Sequence, residues 1–270
     1  MTGFPGETWP GSIWIVGCGK MAGAMVEGWR RAAVDLGHVI AIRPSGTPVE
    51  GVKTVKELPP GKPSFVLLGV KPQKLDEVTP ELAKRLDLRT ILVSILAGVE
   101  LESLRSRFPA AGRIIRAMPN LPVSENRGIV AIFDGKSDDA RGVTDDLFAT
   151  LGTVVRTTSE ADLAAIGSLA GAGPAYVARF IAALAKAGIE RGLDPALAGR
   201  LALETVLGTA TMAAARGEDM DSIVRRVASP NGTTEAGLAV LDAGLDELVA
   251  QTLEAASRRG AELADAARIE

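Results

Sequence analysis

Short apolar runs alternate with longer amphipathic stretches through the first half of this chain. Ile-Trp-Ile-Val at 13–16 stops at Gly17, and a helix-compatible stretch follows over residues 20–33. An apolar run, a glycine turn and then such a stretch read as strand, turn and helix. Further strand-like runs fall at 38–42, 65–70, 91–96, 113–118 and 129–133, with helix-compatible segments near 73–86 and 100–107. Buried strands alternating with helices predict βαβ units and a parallel sheet.

Near residue 157 the pattern changes. Alanine and leucine become frequent, strand-like runs stop, and 174–191, Pro195–Arg216 and Leu245–Ala267 read as long helices. Pro174 and Pro195 stand where a first helical turn tolerates proline. Gly192 and Gly217 stand just past helix ends, where a left-handed residue is favoured. The expected division is an α/β domain over residues 1–156, beginning with a flexible extension at 1–12, and an all-helical domain over 157–270. In the helical half, Leu197, Leu201, Val206 and Leu207 form one stripe while alanines fill the other faces. A monomeric bundle core and a dimer interface both account for this apolar load, since small residues let helices approach closely in either.

Composition narrows the chemistry. A chain of 270 residues suits two domains at roughly 100–200 residues each. With 30 Lys and Arg against 33 Asp and Glu there is no basic footprint for nucleic acid. The single cysteine, Cys18, excludes an intrachain disulfide and a Cys-clustered metal site. His38 is the single histidine, which rules out a multi-histidine metal site; it alone could serve an esterase-type triad, and it lies in a strand-like run. No apolar run reaches the ~18 residues of a membrane span. The first twelve residues carry Pro5, Gly6 and Pro10 but no Lys or Arg, unlike a secretory signal. The expectation is a soluble cytoplasmic protein with no membrane or nucleic-acid partner. If it is an enzyme, its chemistry comes from a borrowed cofactor.

Gly17-Cys18-Gly19-Lys20-Met21-Ala22 follows the first strand and opens the first helix. This is the G-x-G-x-x-G/A pattern: Gly17 for the tight turn, Gly19 for backbone approach to a pyrophosphate, Ala22 for close helix–sheet packing. An ordinary βα turn is the plainer alternative. With the fingerprint in place, the first domain reads as Rossmann-type. The second strand ends in Ile42-Arg43-Pro44-Ser45, without the carboxylate that would hold a ribose 2′-hydroxyl. Arg43 and Ser45 instead suit a 2′-phosphate, so NADPH is expected over NADH, although NADH remains possible. A solvated loop arginine is the alternative. Two more loops follow strands: Gly69-Val70-Lys71-Pro72, and Ile95, Leu96 and Ala97 within Ser94–Gly98. Both can line the cofactor through their backbones. Asn120, stiffened between Pro119 and Pro122, can bond a nicotinamide carboxamide or cap its own turn.

Val227-Ala228-Ser229-Pro230-Asn231-Gly232-Thr233-Thr234-Glu235 is the most unusual run of the helical half. Asn231-Gly232 permits positive φ, and Thr233-Thr234 opens a helix whose N–H groups suit a small carboxylate. A plain helix cap accounts for the same residues.

Taken together, Val70-Lys71-Pro72, Arg116-Ala117-Met118-Pro119-Asn120, Gly171-Ala172-Gly173-Pro174-Ala175-Tyr176 and Ser229–Thr234 resemble the pyrroline-5-carboxylate reductase family. The resemblance runs over about residues 13–260. It implies NAD(P)H-dependent reduction of L-1-pyrroline-5-carboxylate to L-proline, the last step of proline biosynthesis. It also implies a helical domain interleaved with a partner subunit in a homodimer or an assembly of dimers. By the same resemblance Thr234 bonds the imine nitrogen, and Ser229, Gly232 and Thr233 hold the substrate carboxylate. The segment from Val16 through Gly17, Cys18, Gly19 and Lys20 to Met21, with Arg43, 69–72 and 95–97, lines the cofactor.

Departures from the family pattern are Ala170 and Ala172 for serines, Asn231 for glycine and Leu121 for threonine. Lys56 stands where an asparagine often contacts the adenosine end. A β-hydroxy acid dehydrogenase is the first rival, but the first long helix of the second domain offers Arg179 and, later, only Lys186 as a catalytic lysine. A cofactor-binding paralogue without turnover is the second, and the retained Thr233-Thr234 pair and Tyr176 speak against it.

Overall fold

In the computed structural model, residues 11–135 and 142–267 are described. Most of the extension expected over 1–12 therefore lies outside the described residues. Two compact units emerge, one up to Ala172 that also takes in the chain from Ala256 onward, the other Gly173–Ala255. Arg156, the last residue of the expected first domain, ends the last strand, whereas the two compact units part between Ala172 and Gly173.

The first unit is built on an eight-stranded sheet. Its strands are β1 (Ile13–Val16), β2 (Val39–Ile42), β3 (Lys53–Val55), β4 (Phe65–Leu68), β5 (Ile91–Ser94), β6 (Arg113–Pro119), β7 (Gly128–Phe133) and β8 (Gly152–Arg156). They lie in the order β3-β2-β1-β4-β5-β6-β7-β8. All four residues of β1 and of β4 are buried, as expected for strands covered on both faces. The chain leaves β1 towards β2 and β3, then returns to β4 on the other side of β1. The reversal falls between β1 and β4, and in open α/β sheets ligands bind at the carboxyl ends of the strands at such a point.

Helix α1 (Lys20–Arg31) covers one face and buries Met25 and Trp29, with Leu147 and Phe148 of α4 (Val143–Ala149) in the same cluster. The Trp29 indole donates to the Leu147 carbonyl across 3.3 Å, so the buried ring leaves no polar atom stranded. Helices α2 (Leu75–Ala83) and α3 (Leu101–Arg107) cover the other face through Leu75, Leu82, Leu101 and Leu104.

The expected all-parallel sheet is corrected at one place. β6 and β7 are antiparallel, with Arg116 beside Phe133 and Pro119 beside Val130. The connection is one short 3₁₀ segment, Leu121–Glu125, closed by Asn126 at φ 55°. A parallel crossover takes a dozen or more residues, and this link is too short for one. The Asn126 amide donates to the carbonyls of Gly28 and Thr150 and fixes the return. β3 and β8 were not expected. β3 is three residues long and begins on an exposed lysine, and β8 has no fully buried residue, so neither forms an apolar run.

The remaining helices are α5 (Glu160–Ile166), a π-helical turn at Gly167–Gly171, α6 (Gly173–Glu190), α7 (Pro195–Arg216), α8 (Met220–Val227), α9 (Thr233–Asp242) and α10 (Leu245–Ala267). α6 packs on α7 through small side chains: a Cβ at Gly188 would sit 3.4 Å from that of Ala198. The α7 stripe faces the other way. Ala198 and Ala202 are buried, whereas Leu201 and Leu207 are about half exposed. α6 and α9 bury no residue within the chain. A monomeric bundle core therefore does not account for the apolar load. The expectation about membrane-length runs also needs correction. Glu160–Glu190, read as one helical run, is long and apolar enough by length and composition, and none of its most apolar stretch is buried. Isolated polar residues such as Ser168 and Arg179 interrupt it in sequence, which is why no unbroken run was visible.

Candidate active site

Four backbone hydrogen bonds extend the sheet past its strands and align the loops that leave it. Arg43 N–H donates to Val55, Gly17 N–H to Ile42, Gly69 N–H to Val16 and Ile95 N–H to Leu68, at 2.8–3.0 Å. Lys56, Arg43, Gly17, Gly69 and Ile95 thus follow one another along the carboxyl edge of the sheet. The cofactor residues expected from sequence, from Val16 to Met21 and at 43–45, 69–72 and 95–97, are brought to this edge. Val16, Cys18 and Leu96 are buried in the core, leaving their backbones to serve the loops.

The glycines divide into two kinds. Gly17 has φ +81°, and a Cβ there would lie 2.7 Å from the Val70 nitrogen. A Cβ at Gly69 would lie 2.7 Å from the Gly17 carbonyl oxygen. Packing within the protein requires both. Gly19 is different: its φ is −83°, which any residue adopts, and a Cβ would meet nothing within 4 Å. The missing side chain leaves open space in front of the first turn of α1. That turn has no side-chain cap and no acidic residue, so its N–H groups and positive dipole end are uncompensated. These residues fit the diphosphate of a dinucleotide.

At the end of β2 the chain turns through Arg43 to Gly46, with Gly46 N–H donating to the Arg43 carbonyl at 2.8 Å and Gly46 at φ +68°. An Arg43 Nη1 donates to the Thr47 carbonyl at 3.1 Å. The Ser45 and Thr47 hydroxyls share a hydrogen bond of 2.9 Å. Burial pushes the Cys18 thiol above its ordinary pKa, and the nearby Arg43 charge pulls it part of the way back.

Asn120 is 6% exposed. Its amide donates to the Ala170 carbonyl at 3.0 Å and its oxygen accepts the Ile129 N–H at 2.8 Å. Both partners are backbone groups, so only its second amide hydrogen is left for a nicotinamide.

The run at 227–235 folds as a turn between α8 and α9. Gly232 N–H donates to the Ser229 carbonyl at 3.0 Å, and Asn231 takes φ 57°. The Ser229 hydroxyl lies over Gly232 where a Cβ would stand. Gly232 is the N-cap of α9 and no side chain caps the helix. Thr233 and Thr234 therefore sit inside the first turn, and the plain-cap alternative does not describe them. Thr234 is half-buried and Thr233 exposed.

Two participants were not singled out from sequence. Glu235 accepts the Asn231 N–H at 2.7 Å and pins the turn from within the helix. Glu160 pairs with the buried Arg116 and accepts the Leu101 N–H at 2.8 Å, tying α5 to β6 and α3. The arginine inside an apolar strand was the signal that an acidic partner had to exist. Among the described residues, no group of three or more His, Cys, Asp or Glu could hold a metal ion.

A glycine turn that fits a diphosphate at the reversal of this sheet, followed by a helical region, is the architecture of an NAD(P)-binding protein. Residues 160–263 match the pyrroline-5-carboxylate reductase dimerisation model. A pyrroline-5-carboxylate reductase of Synechocystis is 42% identical over 201 residues, covering 73% of this chain and 74% of that protein. One from Pseudomonas aeruginosa is 32% identical over 265 residues, 94% and 97% of the two chains. The solved pyrroline-5-carboxylate reductase of Coxiella burnetii superposes with a TM-score of 0.83 at 30% identity, covering 94% of this chain and 98% of that one. The Plasmodium falciparum enzyme, solved with NADP bound, shares the fold at a TM-score of 0.81 and 23% identity, with 94% and 98% covered. The chain belongs to the pyrroline-5-carboxylate reductase family.

Proposed function

We propose that this protein reduces L-1-pyrroline-5-carboxylate to L-proline with NADPH, the last step of proline biosynthesis. One observation carries the reading: likeness to reductases of this name spans 94% of the chain and so takes in both the cradle and the Ser229–Thr234 turn. A bound reduced nicotinamide supplies a hydride to the carbon of the C=N bond. The protein's own task is to bind and orient. Gly17 to Met21 hold the diphosphate, Arg43 and Ser45 the adenosine end, and the backbones at 69–72 and 95–97 the remainder. The N–H groups of Gly232, Thr233 and Thr234, with Ser229, hold the substrate carboxylate. The Thr234 hydroxyl bonds the ring nitrogen. A protonated imine that accepts a hydride becomes a secondary amine, so no strongly acidic side chain is required. That suits a chain with one histidine.

The preference for NADPH over NADH rests on Arg43 and on the lack of a carboxylate at the end of β2. The division of labour is a dinucleotide part over 1–156 and a helical substrate and dimerisation part over 157–270. The exposed apolar faces of α6 and α7 and the match to the dimerisation model support a homodimer or an assembly of dimers. A cytoplasmic setting fits a lone cysteine held as a buried thiol. The test is NADPH consumption with pyrroline-5-carboxylate beside larger and smaller ring analogues, repeated with NADH. Turnover of the five-membered ring, faster with NADPH, is expected. Preference for a β-hydroxy acid with NADP⁺ would favour the rival dehydrogenase reading.

A further inference from the structure

Gly98 ends the loop that leaves β5, and the reading above gives it no role. It takes φ +75°, and a Cβ on it would stand 2.9 Å from the Ala264 nitrogen and 2.9 Å from the Leu263 carbonyl carbon. Both atoms are main chain of α10, which cannot swing aside as a flexible side chain can. The last turns of α10 thus rest on the loop backbone to backbone, an approach that only glycine permits. Leu263 and Ala264 are half-buried there, between the exposed Glu262 and Asp265.

The contact lies inside one compact unit, because the chain from Ala256 onward groups with the sheet. A second contact anchors the same stretch of helix. The Ser257 and Ser168 hydroxyls share a hydrogen bond of 3.1 Å, which ties α10 to the π-helical turn. About 9 Å of helix separates Ser257 from Leu263, so the end of α10 is fixed at two points.

The loop itself is held on both sides of its apex. Ile95 N–H donates to the Leu68 carbonyl at 3.0 Å, and Glu160 accepts the Leu101 N–H at 2.8 Å. Leu96 and Val99 are buried in the core, whereas Ala97 between them is exposed. The helix meets the loop at the residue next to Ala97. An apex left free would have to be ordered when a dinucleotide binds, at a cost in affinity, and a support that orders it beforehand removes that cost.

We propose that the end of α10 clamps the cofactor loop. Gly98 is a positioning residue: it seats Leu263 and Ala264 and so presets the backbone of residues 95–97 for the part of the dinucleotide beyond its adenosine end. This rests on the cofactor reading above.

The experiment measures Kd by titration calorimetry with NADPH and with 2′,5′-ADP, and amide hydrogen exchange at residues 95–99, on full-length proteins. They are the wild type, Gly98→Asn, Ala264→Pro and Gly217→Asn. Asparagine tolerates a left-handed φ, so Gly98→Asn keeps the turn and drives a Cβ into α10. Ala264→Pro breaks the last turn from the helix side and leaves the loop sequence intact. Gly217 has φ +63° and nothing within 4 Å of a Cβ, so Gly217→Asn controls for asparagine in such a conformation. Both clamp variants should raise the Kd for NADPH by about fivefold or more and speed exchange at 95–99. Their Kd for 2′,5′-ADP should stay within about twofold, because that probe ends before the loop. Gly217→Asn should bind both ligands as the wild type does. Should Gly98→Asn fail to fold, Ala264→Pro decides alone. Wild-type Kd for NADPH in the folded clamp variants overturns the clamp and leaves the cofactor reading standing. Equal weakening for NADPH and 2′,5′-ADP, or weakening shared by Gly217→Asn, shows a general loss of structure and also overturns it. A wild type that binds NADPH no more tightly than 2′,5′-ADP takes the loop out of the cofactor site and overturns both.

Discussion

The Asn120 side chain donates to the Ala170 carbonyl, joining the end of β6 to the π-helical turn across 3.0 Å. The same side chain accepts the Ile129 N–H from β7. One carboxamide thus braces the strand reversal and the only π-helical turn among the described residues. A π-turn shifts the backbone register of a helix and leaves carbonyls poorly placed for the next turn. An external donor to Ala170 is the compensation that the local geometry demands.

Removing that brace should destabilise the protein without touching the dinucleotide. Asn120→Ala leaves two backbone groups without their partner, a cost of about 1–3 kcal/mol each at a buried site. A lower melting temperature with an unchanged Kd for NADPH is expected. A weaker Kd at unchanged stability would give the Asn120 amide to the nicotinamide instead.

The glycines of the cradle should separate in the same way. Gly69→Ala drives a methyl into the Gly17 carbonyl and should lower stability. Gly19→Ala meets no protein atom and has an ordinary φ, so its folding should be intact or slightly improved. Its methyl would occupy the space left for the diphosphate, and NADPH affinity should fall by about tenfold or more. Thermal melts and calorimetric Kd values on both variants check this. Loss of stability in Gly19→Ala with normal binding would place the diphosphate elsewhere.

How much of this was legible in the sequence follows from the range of the forces involved. The Gly17–Ala22 turn was readable because a strand, a turn and a helix are local. The Ser229–Thr234 turn was readable for the same reason, down to Asn231 at positive φ. The antiparallel return of β7 was missed because its cause is a link too short for a crossover, and apolar runs carry no direction. Glu160 was missed because its partner Arg116 lies 44 residues away. The orientation of α7 was ambiguous because leucine and alanine faces are both apolar, and only packing shows that the alanines Ala198 and Ala202 turn inward. Lys56 was visible as a departure, but its position beside Arg43 needed the pairing of β2 with β3.

The Cys18 thiol offers a spectroscopic check on Arg43, since the chain has no other cysteine. Burial raises its pKa and the Arg43 charge opposes that rise. Thiolate absorbance should therefore titrate at higher pH in the folded protein than in the unfolded one, and higher still in Arg43→Ala. The neutral thiol is the favoured folded form, so this contribution to stability is present below the unfolded thiol pKa. It is lost as pH rises through the folded value. An unchanged midpoint in Arg43→Ala would show that the guanidinium faces away from the turn.

The apolar faces left open in the chain predict its assembly. Leu201 and Leu207 on α7, and Val177 and Phe180 on α6, are between about two fifths and just over half exposed. An obligate interface, larger than ~2,000 Å² in total, is expected to cover such faces. Light scattering should report a dimer or a multiple of it at micromolar concentration. Leu207→Glu should dissociate it or prevent soluble expression. A stable, active monomer would contradict this.

The central claim is that the Ser229–Thr234 turn serves a reduction, and Thr234 tests it most directly because Thr233 is its built-in control. The measurement is L-proline formed per NADPH consumed, taken as kcat/KM for pyrroline-5-carboxylate in the wild type, Thr234→Ala, Thr234→Ser and Thr233→Ala. One proline per NADPH is predicted. Thr234→Ala should lose about 10–100-fold, from one polar contact of ~1.5–3 kcal/mol. Thr234→Ser should keep most activity, Thr233→Ala should fall less than Thr234→Ala, and the Kd for NADPH should not move. A folded Thr234→Ala with wild-type kcat/KM, or NADPH consumed without proline, would contradict the account.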